Sequence, residues 1–304
     1  MLPKVSVIIP AFNKDYLTMK CVESVINQTY DNIEIIVIDD GSKDQTYNLI
    51  KKYIDKIIYV KQENKGACAA RNYGIKISSG KYIALLDCDD IYYPTKIERS
   101  VELLESHEEN RFLITKVNLI DMNNNIVNKN IKICNIDNKN FYKDLICFNI
   151  NITNSTLVAS KKSLEKVGLF DESIFISADR DLLIKLSKIY KVIYLNESLT
   201  GYRVINETIY NDLSKAIEEF EYIIEKNILN DLKLKNYALQ NLYFIYSKFY
   251  AAQSNINKSK KLLLKIIRIN FFYRKIIKVL IMYFYAIVFP NSYNKLFYKY
   301  RKYD

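Results

Sequence analysis

Apolar and polar positions change period along this chain, and each change marks an element. Val5 to Pro10 (VSVIIP) is a short β-branched run closed by proline, the pattern of a buried strand. Tyr16 to Gln28 follows with Leu17, Cys21, Val22 and Val25 at helical spacing. Ile33 to Ile38 (IEIIVI) predicts a second buried strand, ending on Asp39-Asp40-Gly41-Ser42. Gln45 to Tyr53 predicts a helix, Lys56 to Lys61 a third strand and Gly66 to Ile77 a helix. Lys81 to Leu86 (KYIALL) predicts a fourth strand, ending on Asp87-Cys88-Asp89-Asp90, and Thr95 to Glu105 a helix after Pro94. From about residue 107 the pattern loosens, and the Asn-rich stretch Asn123 to Asn140 reads as an irregular excursion. Order returns as a strand over Thr153 to Ala159, a helix over Lys161 to Val167 and a turn over Gly168 to Glu172. A helix over Asp179 to Ile189 and a strand over Val192 to Leu195 follow. After Asn211 the pattern is helical to the end, which places a boundary near residue 210.

Strands alternating with helices over the first hundred residues predict an α/β fold built on a doubly wound, mostly parallel sheet. Ligands of such sheets bind outside the carboxyl ends of the strands. Both acidic clusters, at 39–40 and 87–90, stand at such ends and should meet over one crevice.

Charge changes the picture at one end only. The 304 residues carry a net +11, and twelve Lys or Arg against one acidic residue between Asn255 and Asp304 account for all of it. The rest is neutral, so the cations form a basic tail. Heavy use of Ile, Asn, Lys and Tyr without Trp fits an AT-rich coding bias, which strips a lone Tyr or Asn of meaning. Cys21, Cys68, Cys88, Cys134 and Cys147 show neither metal-ligand nor redox spacing and read as free thiols of a reducing cytoplasm. No signal peptide opens the chain. The longest apolar run, Val279 to Phe289, has 11 residues, short of the roughly 20 that span a bilayer. No transmembrane helix is expected.

The candidate chemistry is acidic. Asp87-Cys88-Asp89 after a strand suits a hard cation such as Mg²⁺ or Mn²⁺, bound through one or two carboxylates and a diphosphate. Asp39 can accept hydrogen bonds from a base or ribose. The small residues of Asn64 to Gly74 allow close approach of a ligand, and Arg71 offers a forked cation.

The runs VSVIIPAFN (5–13), SVINQTY (24–30), IIVIDDGSKDQT (35–46), ENKGACAARNYGI (63–75) and YIALLDCDDIYYP (82–94) resemble, in order and spacing, the nucleotide-sugar half of family 2 glycosyltransferases. The resemblance implies the GT-A fold, with a Rossmann-like sheet and here a C-terminal helical extension. It implies that residues 1–100 bind the nucleotide sugar. Residues 101–210 would bind the acceptor and carry the base, and 211–304 would form the helical extension. Pro10, Ala11 and Asn13 then line the nucleotide pocket, Asp39 meets uracil, and Arg71, with Lys65, lies near the diphosphate. Asp87 meets the ribose or a metal-bound water, and Asp89 is the metal ligand. A weaker match over VGLFDESIFISADRDLLIKL (167–186) implies Asp179 as catalytic base, with Asp181 the alternative; Ala178 stands where the family has an acidic residue. After Tyr202-Arg203 the family often has a histidine, and this chain has Ile205. The one histidine, His107, reads as a surface residue.

The activity implied is inverting, metal-dependent transfer of a hexose or N-acetylhexosamine from a UDP-sugar. The acceptor is a glycan hydroxyl, lipid-linked, in O-antigen or capsule synthesis. A nucleotidyltransferase and a non-catalytic nucleotide-sugar or lipid-binding subunit are the alternatives. A dehydrogenase is rejected, because Pro10-Ala11-Phe12-Asn13 lacks the glycine-rich turn. The tail reads as one helix starting near Lys258, with Lys261, Lys265, Arg268, Lys275 and Lys278 on one side beside aliphatic residues. Residues 258–302 would dock on an anionic membrane, peripheral to the inner face of the cell membrane, and bind no nucleic acid. A chain ended at Gln253 is expected to stay folded.

Overall fold

The structure, a computed structural model, describes residues 2–107, 111–128, 140–204 and 213–293. The chain divides into two compact units: Met1–Tyr142 with Ile150–Ile205, and Lys143–Asn149 with Asn206–Asp304.

The first unit opens with β1 (Val5–Ala11), α1 (Asp15–Ile26), β2 (Ile33–Asp39), α2 (Thr46–Ile50), β3 (Ile58–Lys61), α3 (Ala67–Ile77) and β4 (Tyr82–Leu85). Then come β5 (Ile91–Tyr92), α4 (Lys96–Glu105), β6 (Arg111–Ile120), β7 (Ile126–Asn128) and α5 (Phe141–Ile146), the last shared with the second unit. It ends with β8 (Leu157–Ser160), α6 (Lys161–Lys166), α7 (Ala178–Ser187) and β9 (Lys191–Arg203). Among the described residues these strands form one sheet in the order β3-β2-β1-β4-β8-β6-β9-β5, with β7 beside β6. The strands β1 to β4 are mutually parallel, as their β-α alternation predicts. β8 runs against both β4 and β6, while β6 and β9 are parallel.

Period two along β1 sends side chains to both faces, and both are covered. Val5, Val7 and Ile9 pack in one core with Cys21, Val22 and Val25 of α1 and Ile97, Val101 and Leu104 of α4. On the other face α3 lies so close that a Cβ on Gly74 would stand 2.5 Å from Ile8 Cγ2.

Two strands exceed what the periodicity shows. β6 fills a stretch that reads as loosened pattern, and β9 runs 13 residues where Val192 to Leu195 alone is legible. In their pairing Thr115 faces Leu195 and Lys116 faces Ser198, so Asn196 and Glu197 bulge out. A bulge breaks the period-two alternation by which a strand is recognised.

The second unit is helical: α8 (Leu213–Asn227), α9 (Leu232–Ala252), α10 (Ile256–Ile269) and α11 (Ile276–Val288). The single basic helix expected from Lys258 is two helices, because Asn270 leaves the helical region at φ −162°. Lys275 and Lys278 therefore lie off the helix that carries Lys261, Lys265 and Arg268. Nor is α10 a detachable tail. Its Leu262, Leu263 and Ile266 are buried, and Gln240 of α9 donates to the carbonyls of Ile266 (2.9 Å) and Asn270 (2.7 Å). Ending the chain at Gln253 removes part of this unit's core, which overturns the expectation that it stays folded. Cys21, Cys68, Cys88 and Cys147 are free and buried; Cys134 lies outside the described residues. Among the described residues no helix is long and apolar enough to cross a membrane.

Leu263 is fully buried in the second unit, so Leu263→Ala should cost about 2–5 kcal/mol. Urea unfolding followed by circular dichroism measures it, and a change under 1 kcal/mol would mean that α10 is not a core element.

Candidate functional site

Sheet order gathers the acidic residues. β1, β2 and β4 point the same way, so Ala11, Asp39 and the residues after Leu85 leave the sheet at one edge. Because β8 is antiparallel to β4, the turn before it, Asn154–Thr156, returns to that edge. Pairing of Ile91 with Gly201 brings the end of β9 there too.

The carboxylates at this edge have different duties. Asp40 is buried and accepts from the backbone N–H of Lys65 (2.9 Å) and Gly66 (2.8 Å) and from Gln62 Nε2 (2.7 Å). It thereby fixes the turn into α3, where Gly66 holds φ 91°. Asp90, also buried, accepts from Ser155 Oγ (2.5 Å) and the Arg203 N–H (2.9 Å). Burial, then the charges of Asp89 and Asp87, push its carboxyl well above the usual range. Asp39 is fully buried, with Oδ1 taking the Ser42 N–H (2.7 Å) and Oδ2 the Tyr59 hydroxyl (2.6 Å).

Asp87 and Asp89 are the part-exposed pair, with side chains 26% and 20% exposed. Asp87 Oδ1 accepts from Arg71 Nη2 at 2.5 Å. Asp89 Oδ2 pairs with Lys14 Nζ, and the Asp89 carbonyl accepts from Arg203 Nε at 2.7 Å. Burial pulls the Lys14 ammonium down, but Asp89 outweighs it and leaves it raised. Arg71 is buried against the Phe170 ring, 5.4 Å from its centroid, and its Nε has no hydrogen-bond partner among the described residues.

Asp179 stands half-buried in the first turn of α7, Oδ1 accepting the Arg180 N–H at 2.7 Å. Burial pushes its carboxyl above the usual range; Arg180 and Arg71 pull it down and Asp87 pushes it up. Asp179 therefore feels the Arg71–Asp87 pair. Burial and then the charges of Asp90, Asp87, Asp89 and Asp179 raise the Tyr202 hydroxyl. Asp181 is different: it is fully buried and paired with Lys185 at 3.1 Å.

The other expected residues fall as follows. Pro10 and Ala11 end β1. Asn13 holds a left-handed φ of 49°, donates its N–H to Ser42 Oγ (3.0 Å) and accepts from the Lys43 N–H (2.9 Å). Lys65 is exposed. His107 is exposed after α4, with Nδ1 2.8 Å from the Leu103 carbonyl oxygen. Ile205 lies outside the described residues. Lys14 and Ser155 carry no sequence signal for this site, since a lysine or serine is common in this composition and their partners lie 75 and 65 residues away. Arg203 belongs to the Tyr202-Arg203 match, but its bond to the Asp89 carbonyl, 114 residues away, is not legible there.

The donor set fits a hard divalent cation shared with phosphate. Asp87 Oδ2 and Asp89 Oδ1 stand outside the two ion pairs. Among the described residues no three His, Cys, Asp or Glu close a metal site by themselves, so phosphate oxygens would complete the shell, as is usual for Mg²⁺.

The Glycosyl transferase family 2 model matches residues 6–165. An uncharacterized glycosyltransferase of Rickettsia prowazekii is 33% identical over 226 residues, 72% of this chain and 70% of that protein. The Escherichia coli UDP-Glc:alpha-D-GlcNAc-diphosphoundecaprenol beta-1,3-glucosyltransferase WfaP is 45% identical over 106 residues, 34% of this chain and 42% of that one. Among solved structures, S. aureus TarS 1-349 in complex with UDP-GlcNAc superposes with TM-score 0.68 at 17% identity, over 98% of this chain and 92% of that one. The Pyrobaculum calidifontis mannosyltransferase PcManGT, in complex with GDP-Man and Mn²⁺, gives 0.62 at 14% identity, over 100% and 86%. These two likenesses show the fold, which is GT-A.

Asp40 satisfies three donors, two of them backbone. Asp40→Ala should cost about 2–4 kcal/mol and speed amide exchange at Lys65 and Gly66. Hydrogen exchange by NMR reads both; unchanged protection there would remove Asp40 from the scaffold.

Proposed function

The chain belongs to glycosyl transferase family 2 and is a glycosyltransferase, and from that premise we propose that it moves a hexose or N-acetylhexosamine from a UDP-sugar to a hydroxyl of a lipid-linked glycan, with inversion. The observation that carries this is the meeting of Asp87 and Asp179 about one buried arginine, Arg71, at the carboxyl edge of the sheet, with Asp89 two residues on in the same turn and paired to Lys14. The UDP-GlcNAc complex of TarS and the acceptor named for WfaP support the choice of donor and acceptor class. The same acceptor supports a role in surface polysaccharide synthesis, O-antigen or capsule.

Residues 1–100 hold the nucleotide and 101–210 supply the base. Pro10, Ala11, Asn13 and Asp39 surround the nucleoside end. Each Asp39 oxygen accepts one hydrogen bond and keeps a second lone pair, but the residue is fully buried, so it reaches a base only if Tyr59 or the turn at Ser42 moves aside. Arg71, with its unpartnered Nε, and Lys65 face the diphosphate. Asp89, with Asp87, would hold Mn²⁺ or Mg²⁺; such an ion supplies positive charge to the departing diphosphate.

The acceptor hydroxyl is a weak nucleophile until its proton leaves. Asp179 takes that proton as the oxygen attacks the anomeric carbon opposite the diphosphate. The new C–O bond forms as the sugar–phosphate C–O bond breaks, and the electron pair leaves with the diphosphate. A carboxyl raised by burial is a stronger base than a solvated one. Asp181 is spent in its ion pair with Lys185. The enzyme works in the cytoplasm, peripheral to the inner face of the membrane, where residues 258–302 meet anionic lipid; 294–302 lie outside the described residues.

Asp179→Asn should keep UDP binding and slow transfer by roughly 10² or more. Because only the carboxylate is active and its pKa is raised, the acidic limb of kcat/KM should lie above that of an ordinary aspartate. A variant that is nearly active, while Asp181→Asn folds and is dead, would transfer the base role to Asp181. A donor screen by product mass spectrometry identifies the sugar, and no turnover with any UDP-sugar would overturn the donor class.

Asp89→Ala should abolish transfer and the metal-dependent part of UDP binding. Calorimetry with UDP and Mn²⁺ tests this, and undiminished metal-dependent affinity in the variant would remove Asp89 from the metal.

A further inference from the structure

The outward face of α11 is apolar throughout its length. Val279, Met282 and Ala286 point into the second unit and are buried. On the opposite side, at the same helical spacing, stand Ile277, Leu280, Ile281, Phe284, Ile287 and Val288, all exposed, with Ile277 at 72% and Phe284 at 62%. The turn into the helix adds Phe271 and Phe272, the latter 91% exposed. So large a continuous apolar face in contact with water marks an interaction surface.

What covers it is indicated by charge. From Ile256 to Phe289 the sequence has eight Lys or Arg and no acidic residue. Arg274 and Lys278 are exposed beside the apolar stripe. A groove of about 430 Å³ between α10 and α11 is lined by Lys260, Lys261, Leu264, Tyr283 and Ile287, so cations border the apolar face directly. A second copy of this surface would bring like charges together. An anionic bilayer would satisfy both parts, the stripe in the acyl boundary and the cations at the headgroups. Thirteen residues make a helix about 20 Å long, too short to cross and suited to lying flat.

We propose that α11 is the membrane-inserting element of this chain, lying in the interface of an anionic bilayer with Ile277, Ile281 and Phe284 in the acyl layer and the cations of α10 at its border. This rests on the peripheral-membrane part of the proposed function and replaces a basic tail with a defined buried face. The basic stripe of α10 is partly engaged within its own unit: Lys265 pairs with Glu221 at 3.3 Å and Lys258 stands 5.2 Å from the Tyr250 ring centroid.

The chain has no tryptophan, so Phe284→Trp is a single reporter in the full-length protein. With vesicles of phosphatidylcholine and phosphatidylglycerol, its emission should shift to the blue and be quenched by brominated acyl chains. Ile281→Glu with Phe284→Glu should weaken flotation with those vesicles by roughly tenfold or more while leaving the melting temperature unchanged, since both positions are exposed. Flotation without quenching, or flotation indifferent to the double variant, would overturn insertion by α11 and leave membrane binding standing. No flotation with any vesicle would overturn the membrane reading itself. A blue shift that grows with protein concentration in the absence of lipid would assign the face to a second copy.

Discussion

Mutual repulsion among carboxylates is the constraint on which this structure turns. Asp39, Asp40, Asp87, Asp89 and Asp90 converge on one edge of one sheet, because parallel strands β2 and β4, either side of β1, end there, and the first turn of α7 adds Asp179, which feels Asp87 and Arg71. Each like charge raises the cost of ionising the next. The fold meets the constraint residue by residue. Backbone N–H groups hold Asp40 and, with Ser155, Asp90. A tyrosine and a turn N–H hold Asp39. Arg71 and Lys14, the cations in contact with the part-exposed pair, hold Asp87 and Asp89. Among the described residues Asp179 is held by its neighbour's N–H and the more distant pull of Arg180 and Arg71, and its carboxyl is raised.

That division separates scaffold from chemistry. Buried carboxylates with two or three fixed donors have little capacity left for a ligand. Those held by one flexible cation, or by one N–H, can change partner. By this measure Asp87, Asp89 and Asp179 are the carboxylates that suit the proposed chemistry, while Asp40, Asp90 and Asp181 keep the loops and α7 in place. Arg203 ties the two classes together: its N–H serves Asp90 and its guanidinium the Asp89 carbonyl, with further bonds to the Asp121 carbonyl and Asn124.

What was legible in the residues was what is local. The first four strands and their helices announce themselves through runs and periods shorter than fifteen residues, and the acidic clusters stand where those strands stop. β6 and the length of β9 were hidden because their pairing is bulged and Lys116, Asn118 and Asn196 interrupt the apolar pattern. Lys14 beside Asp89, and Ser155 beside Asp90, were hidden because the chain separation is 75 and 65 residues. In the last fifty residues the basic composition was legible and its geometry was not. A helical wheel run through Asn270 puts cations on one side that the structure divides between two helices.

Lys14 also bears on how donor and cation would arrive. In this structure the Asp89 carboxylate is already neutralised, so a divalent cation alone would place two positive charges beside Lys14 and Arg71. A nucleoside diphosphate alone would bring anionic charge to an edge dense in carboxylates. Together they nearly cancel, and the diphosphate offers Lys14 a new partner as it leaves Asp89. Charge balance therefore favours joint binding over either species alone, with a coupling set by the Lys14–Asp89 pair. The pair is part-exposed, with side chains 33% and 20% accessible, so solvent screening keeps it weak enough to exchange. The more buried Asp181–Lys185 pair, with Asp181 at 1% and Lys185 at 16%, would exchange less readily, which suits it to holding α7 and suits Lys14–Asp89 to the ligand handling proposed above.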